Sequence, residues 1–279
     1  MAGEEEGTAV KAQKRRAHFV LIHGMSLGGW CWYKIKCLME VSGFSVTCID
    51  LKSSGVDLSS ADSLSSFDDY NQPLVRFLSS LSEDEQVILV GHSAGGLSVT
   101  KATRRFPEKI SLAVYVAASM LKFGFQTDQD LKDGSPDLSE HGEVYELGFG
   151  LGPENPPTSA LIKPDFQRKL LYQTSPQQDC ALAALLMRPA PILALTTAKF
   201  DGEEEDEEEE KGLEGIPRVY IKTMQDRVVK PEQQDAMIRR WPPSQVYVMD
   251  SDHCPFFSNP FVFFGFLIKA ATSAGCILQ

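Results

Sequence analysis

The sequence predicts an α/β fold: a doubly wound, mainly parallel sheet with an inserted cap. Three observations carry that prediction. Short β-branched runs recur along the 279 residues, helical periods separate them, and the alternation stops over one Gly- and Pro-rich stretch at 121–191. With 43% apolar residues the chain can bury one sizeable core, so a single domain with an insertion is expected.

The elements follow in order. Residues 1–17 form a polar tail with too little to bury and are expected to be disordered. HFVLI at 18–22 reads as the first strand. Trp32, Ile35, Leu38 and Met39 then recur on one helical face, and SVTCI at 45–49 reads as the second strand. Leu74, Phe77 and Leu78 mark another helix, ahead of a third strand, QVILV, at 86–90. A helix from Leu97 to Arg105 leads to LAVYVA at 112–117. After the insertion come RVYI at 218–221, a helix opened by Pro231, QVYVM at 245–249 and a last helix within PFVFFGFLIKAATSAG. Apolar runs without polar alternation suit parallel strands covered on both faces, joined by right-handed crossovers. The core is therefore expected over 18–120 and 192–275. The cap, 121–191, shows only short helical patches, DFQRKLLYQ and DCALAALLM.

Charge and cysteine usage exclude several classes. Nine of the 38 acidic residues lie between Asp201 and Glu210, so the net charge of −11 is local and the rest of the chain is nearly neutral. An acidic disordered loop at 201–215 is expected, and neither a nucleic-acid partner nor an extended membrane surface is implied. The six cysteines include no CxxC pair, which points to reduced thiols in a cytoplasmic protein and to neither a zinc site nor a disulfide framework. The N-terminus lacks the apolar stretch of a secretory signal. The last apolar segment is too short for a membrane span and contains Lys269. No residue spacing implies a metal or an organic cofactor, and a monomer or homodimer is expected.

The chemistry is concentrated at VILVGHSAGG, 87–96. G-x-S-x-G directly after an apolar strand and before a helix matches a nucleophile elbow, a strained turn that needs small neighbours at Gly91 and Gly95 and lifts the Ser93 hydroxyl out of the sheet edge. A phosphate loop is disfavoured, because the Lys and Ser/Thr that would follow are missing. A serine needs a base, and that base needs a carboxylate to fix its tautomer. Among five histidines, His253 follows the last strand, where the order Ser, acid, His places the base. His18 reads as a core-edge residue and His141 as exposed; His23 reads equally as structural or catalytic. His92 reads as a pocket or packing residue. Asp226, in the loop after RVYI, is the expected acid, ahead of Asp250 and Asp252, which share the loop of His253. An oxyanion hole needs two backbone N–H groups. They are expected from Ala94, after the serine, and from Met25, with Gly24 permitting close approach.

These residues resemble those of the plant methylesterases, α/β hydrolases related to a salicylic acid-binding esterase and to hydroxynitrile lyases. The resemblance runs from His18 to Ala271 and includes HFVLIHGMSLGGWCWYK, GHSAGG, LYQTSPQQD, RVYIK and SDH. It looks strongest toward the branch that hydrolyses methyl indole-3-acetate. It implies a carboxylesterase with the triad Ser93, Asp226 and His253, no cofactor and a small-molecule methyl ester as substrate. It also implies a cap in which Phe149, Leu161 and Ile162 line an apolar slot for an aromatic acyl group. Lyases of the family carry threonine at the position of Gly24 and lysine at that of Cys254, so both residues, which border the expected pocket, favour hydrolysis. A receptor with little turnover is the reading from another functional class. Finally, the chain ends CILQ, in which Cys276 fits a prenylation pattern that would add a membrane anchor.

Overall fold

A computed structural model describes residues 16–200 and 215–277. Most of the expected N-terminal tail, nearly all of the expected acidic loop, and Leu278 and Gln279 lie outside the described residues. The strands in chain order are β1 (His18–Ile22), β2 (Ser45–Ile49), β3 (Val87–His92), β4 (Ile110–Val116), β5 (Tyr145–Gly148), β6 (Ser159–Ile162), β7 (Arg218–Thr223) and β8 (Gln245–Met249). Six of them form one sheet in the order β2-β1-β3-β4-β7-β8, with every neighbouring pair parallel. Each of the six apolar runs is a strand of this sheet. β3, β4 and β7 extend beyond their apolar runs because ladder hydrogen bonds continue through Gly91–His92, Ile110 and Thr223.

The helices are α1 (Tyr33–Val41), α2 (Phe67–Ser80), α3 (Gly95–Arg105), α4 (Asp128–Gly134), α5 (Pro164–Leu170), α6 (Gln177–Leu186), α7 (Ile192–Thr196), α8 (Pro231–Arg240), α9 (Pro255–Ser258) and α10 (Pro260–Ser273). From β1 the chain moves outward to β2, then returns to β3 on the other side of β1. Right-handed crossovers therefore put α1 on one face, where it meets α10, and α2 and α3 on the other. That reversal opens a crevice between the loops leaving β1 and β3 at the carboxyl edge of the sheet. The register pairs Ile22 with Gly91, which sets the loop beginning at His23 beside Ser93.

Burial follows position in the sheet. Every residue of β3 is buried, as are Phe19–Ile22 of β1. At the edge, β8 buries Tyr247 and Met249 but exposes Val246 and Val248. The expectation of a strand covered on both faces fails there, since a helix shields only one side of an edge strand.

The stretch 121–191 departs from β/α alternation and contains more order than its composition suggests. It holds α4, the antiparallel hairpin β5–β6, α5 and α6. A capping box of Thr127 and Asp130 starts α4. Asp130 and Asp133 pair with Arg240 of α8 at 2.6 and 3.0 Å, fastening this helix to the core. Among the described residues, no helix is long and apolar enough to cross a membrane, and no cluster of three His, Cys, Asp or Glu is placed to hold a metal ion. Cys276, just beyond α10, is half-buried with Sγ 3.8 Å from the Ser111 carbonyl.

Candidate active site

β3 ends at His92 and α3 begins at Gly95, so the chain turns from strand to helix within two residues. Ser93 occupies that turn with φ +53°, a left-handed conformation costing about 1–2 kcal/mol for an L-residue. Hydrogen bonds hold it there: Ser93 N–H donates to the Val116 carbonyl at 3.2 Å, and the Ser93 carbonyl accepts from Gly96 and Ser119 at 3.0 and 3.1 Å. Space decides the neighbours. A Cβ at Gly91 would stand 2.6 Å from the Gly95 carbonyl oxygen, and one at Gly95 would stand 2.6 Å from that of His23. Both contacts are with backbone, which cannot swing aside.

The carboxylate and the imidazole come from adjacent strands. Asp226 follows β7, His253 follows β8, and both are buried. His253 Nδ1 lies 2.8 Å from Asp226 Oδ2. Asp226 Oδ1 accepts from the amides of Val228 and Val229 at 2.8 and 3.0 Å, and Oδ2 also accepts from Thr223 Oγ1 at 3.0 Å. Fully buried Gln234 of α8 holds the loop by donating to the Val229 and Thr223 carbonyls. A carboxylate so surrounded by donors requires Nδ1 of His253 to carry its proton, which leaves Nε2 as an acceptor. Ser93 and His253 line the same cavity.

Met25 and Ala94 also line that cavity, and their backbone amides donate to no acceptor among the described residues. His23 settles the orientation of the first. Its Nδ1–H donates to the Gly24 carbonyl at 2.8 Å, while Nε2 accepts the Leu51 amide at 3.1 Å. The Gly24 carbonyl and the Met25 N–H belong to one planar peptide and point opposite ways, so holding the first aims the second. With both nitrogens occupied, His23 is a structural residue. Gly24 touches the serine directly: a Cβ there would stand 2.8 Å from Ser93 Cβ and 2.9 Å from His92 Nδ1.

His92 lines the cavity, packs its ring 4.6 Å from that of His253 and lies 2.8 Å through Nε2 from the His253 carbonyl, to which it donates. Burial lowers the pKa of His23, and burial with the neighbouring His253 lowers that of His92 well below the ordinary imidazole value. In the unfolded chain both bind protons below about pH 6.5, whereas in the folded chain they do so only at lower pH. Their contribution to stability is therefore complete above that pH and is lost as pH falls through it. The melting temperature is expected to level off above about pH 7 and to drop below about pH 6.5. A constant melting temperature down to pH 5 in a calorimetric series would contradict this.

The cavity, about 160 Å³, has mainly apolar walls. Ile162 of β6 lines it, whereas Phe149 and Leu161, the two other cap residues named from the sequence, do not. Phe149 follows β5 and is nearly half exposed; Leu161 turns to the opposite face of β6 from Ile162 by the two-residue period of a strand. Cys254 is fully buried but lies behind the wall, its amide held by Asp252. Sequence reasoning also missed Phe125, Tyr145, Leu171, Met187, Leu195 and Val228, which complete the walls. They come from separate segments whose apolar residues carry no periodic signal. His18 bridges β1 and β2 through Thr47 Oγ1 at 2.8 Å, and His141 is exposed beside Glu140.

Residues 19–265 match the model of the alpha/beta hydrolase family. The chain is 74% identical over 275 residues to Methylesterase 17 of Arabidopsis thaliana, covering 98% of each. It superposes on the crystal structure of a methylesterase, MES16, from Arabidopsis with a TM-score of 0.81 and 40% identity, covering 92% of this chain and 99% of that one. It superposes on tomato Methylketone Synthase I complexed with 2-tridecanone with a TM-score of 0.82 and 33% identity, covering 93% and 99%. The parallel sheet, the serine turn at its carboxyl edge and these likenesses lead to one conclusion: the chain belongs to the alpha/beta hydrolase family and, within it, to the plant methylesterases, carboxylic ester hydrolases.

Proposed function

We propose that this methylesterase hydrolyses methyl indole-3-acetate to indole-3-acetate and methanol through an acyl-enzyme, with Ser93 as nucleophile, His253 as base and Asp226 as its orienting acid. The observation that carries the chemistry is the 2.8 Å contact between His253 Nδ1 and Asp226 Oδ2, buried at the rim of a cavity that also holds Ser93. Nε2 of His253 takes the Ser93 proton as Oγ bonds to the ester carbonyl carbon. The oxyanion that forms is met by the free amides of Met25 and Ala94. The bond to the methoxy oxygen then breaks, and the imidazolium returns its proton to release methanol. Water attacks the acyl-enzyme with the same imidazole as base, and Ser93 regains its hydrogen. These steps use the three side chains, the two backbone amides and one water molecule.

The choice of acyl group is supported by the walls. Phe125 and Tyr145 present aromatic surface among aliphatic side chains. The Tyr145 hydroxyl has no hydrogen-bond partner among the described residues, and burial pushes its pKa up to about 12. A flat aromatic acyl group with a ring N–H fits such a lining, since its N–H would pair with that oxygen. The resemblance to the indole-3-acetate branch points the same way. Glycine at position 24, where lyases of the family carry threonine, favours hydrolysis over cyanohydrin cleavage; a Cβ there would stand against Ser93 and His92. The test is a panel of methyl esters of indole-3-acetate, jasmonate and salicylate ranked by kcat/KM. The indole ester is expected to lead by at least about tenfold, roughly 1.4 kcal/mol of transition-state preference. A jasmonate or salicylate ester in first place would overturn the assignment while leaving the mechanism standing.

A further inference from the structure

We infer that Asp252 is a positioning residue that clasps the His253 loop to the segment at 174–175, so that the inserted region takes part in placing the base. This rests on the assignment of His253 as base. Asp252 is fully buried. Its Oδ2 accepts from the Thr174 amide at 3.0 Å and from Ser175 Oγ at 2.8 Å, both in the stretch between α5 and α6. Its Oδ1 accepts from the Cys254 amide at 3.0 Å. A buried carboxylate is costly unless donors surround it, and these three draw on two segments about 77 residues apart in the chain.

The consequence falls on His253 because it sits between the held positions. Its carbonyl is gripped by His92, the following amide by Asp252 and its ring by Asp226. The far end of the clasp is anchored in turn: the Ser175 carbonyl accepts from Arg168 at 2.6 Å, and buried Asp179, at the start of α6, accepts from Tyr33 Oη at 2.6 Å and pairs with Lys34. Proton transfer demands that Nε2 stay within about 2.6–3.2 Å of the hydroxyl it serves. A shift of about 1 Å costs on the order of 100-fold in rate.

Asp252→Asn tests this in the full chain. The carboxamide presents one acceptor and one NH2 group, so its NH2 must face either the Thr174 or the Cys254 amide, both of which only donate. One side of the clasp must open. The expected result is a kcat about 10- to 100-fold lower with KM within about threefold, and a rate of Ser93 modification by a fluorophosphonate reduced in parallel. Ser175→Ala removes one donor, keeps the carboxylate paired twice, and is expected to show the same split at smaller size should the asparagine variant not fold. Unchanged kcat and modification rate in a folded variant, with only a lower melting temperature, would reduce Asp252 to a stabilising role and overturn the inference. So would a raised KM at constant kcat, which would assign the clasp to substrate binding. If the fluorophosphonate fails to modify the parent protein at all, the Ser93 mechanism itself is wrong, and the inference falls with it.

Discussion

Ser93→Ala is expected to lower kcat for methyl indole-3-acetate by about 10⁴-fold or more while leaving the fold intact. Removing the hydroxyl deletes the atom that would carry the acyl group, and no other side chain can assume that place at the tip of the turn. The fold is insulated from the change by the backbone of the turn. Alanine tolerates φ +53° about as well as serine does, and the hydrogen bonds that hold the turn run through the backbone of Ser93. The melting temperature is therefore expected to stay within a few degrees of the parent, corresponding to less than about 1 kcal/mol. Retention of more than a hundredth of the parent kcat in a folded variant would remove Ser93 from the mechanism.

Asp226→Asn is expected to cost about 10⁴-fold in kcat with little effect on KM. The reason lies in the partners of each oxygen. Val228 and Val229 offer Oδ1 only N–H groups, so the asparagine must keep its carbonyl there and turn its NH2 toward His253. That NH2 donates to Nδ1, which forces the imidazole proton onto Nε2, the nitrogen that must accept from Ser93. The base is then present but in the wrong tautomer. A kcat within tenfold of the parent, with folding confirmed by circular dichroism, would show that the carboxylate does not set the tautomer.

Much of this was legible in the residues. The central strands of the main sheet could be located because a strand covered on both faces must be apolar throughout, as VILV and LAVYV are, and edge strand β8 was found by the same apolar run although it exposes Val246 and Val248. The serine turn was legible because its motif is local: Gly91, Ser93 and Gly95 share a single bend, and Gly91 answers the Gly95 carbonyl four residues on, although Gly95 itself answers the carbonyl of His23 from the loop after β1. Asp226 could be singled out because the Ser, acid, His order and the loop after a strand narrow the candidates. The hairpin β5–β6 was not legible, since YELG and SALI are short, partly polar and separated by a ten-residue loop. Phe149 and Leu161 were misplaced for a related reason: a strand's two faces differ by a single residue, and nothing local tells which face meets the cavity. The choice between a structural and a catalytic His23 also waited on Leu51, 28 residues away, whose amide occupies the second nitrogen.

By itself the sequence determined the strands of the parallel sheet and their order along the chain, through apolar runs set between helical periods, and the serine turn, through its local motif; the family came from the resemblance of whole motifs to those of known proteins. Only the tertiary structure decided which residues wall the cavity, how β7 and β8 bring Asp226 to His253, and that Asp252 reaches across to Thr174 and Ser175. Those contacts join side chains tens of residues apart, and their geometry is set by how packed elements are oriented in space, which no local pattern encodes.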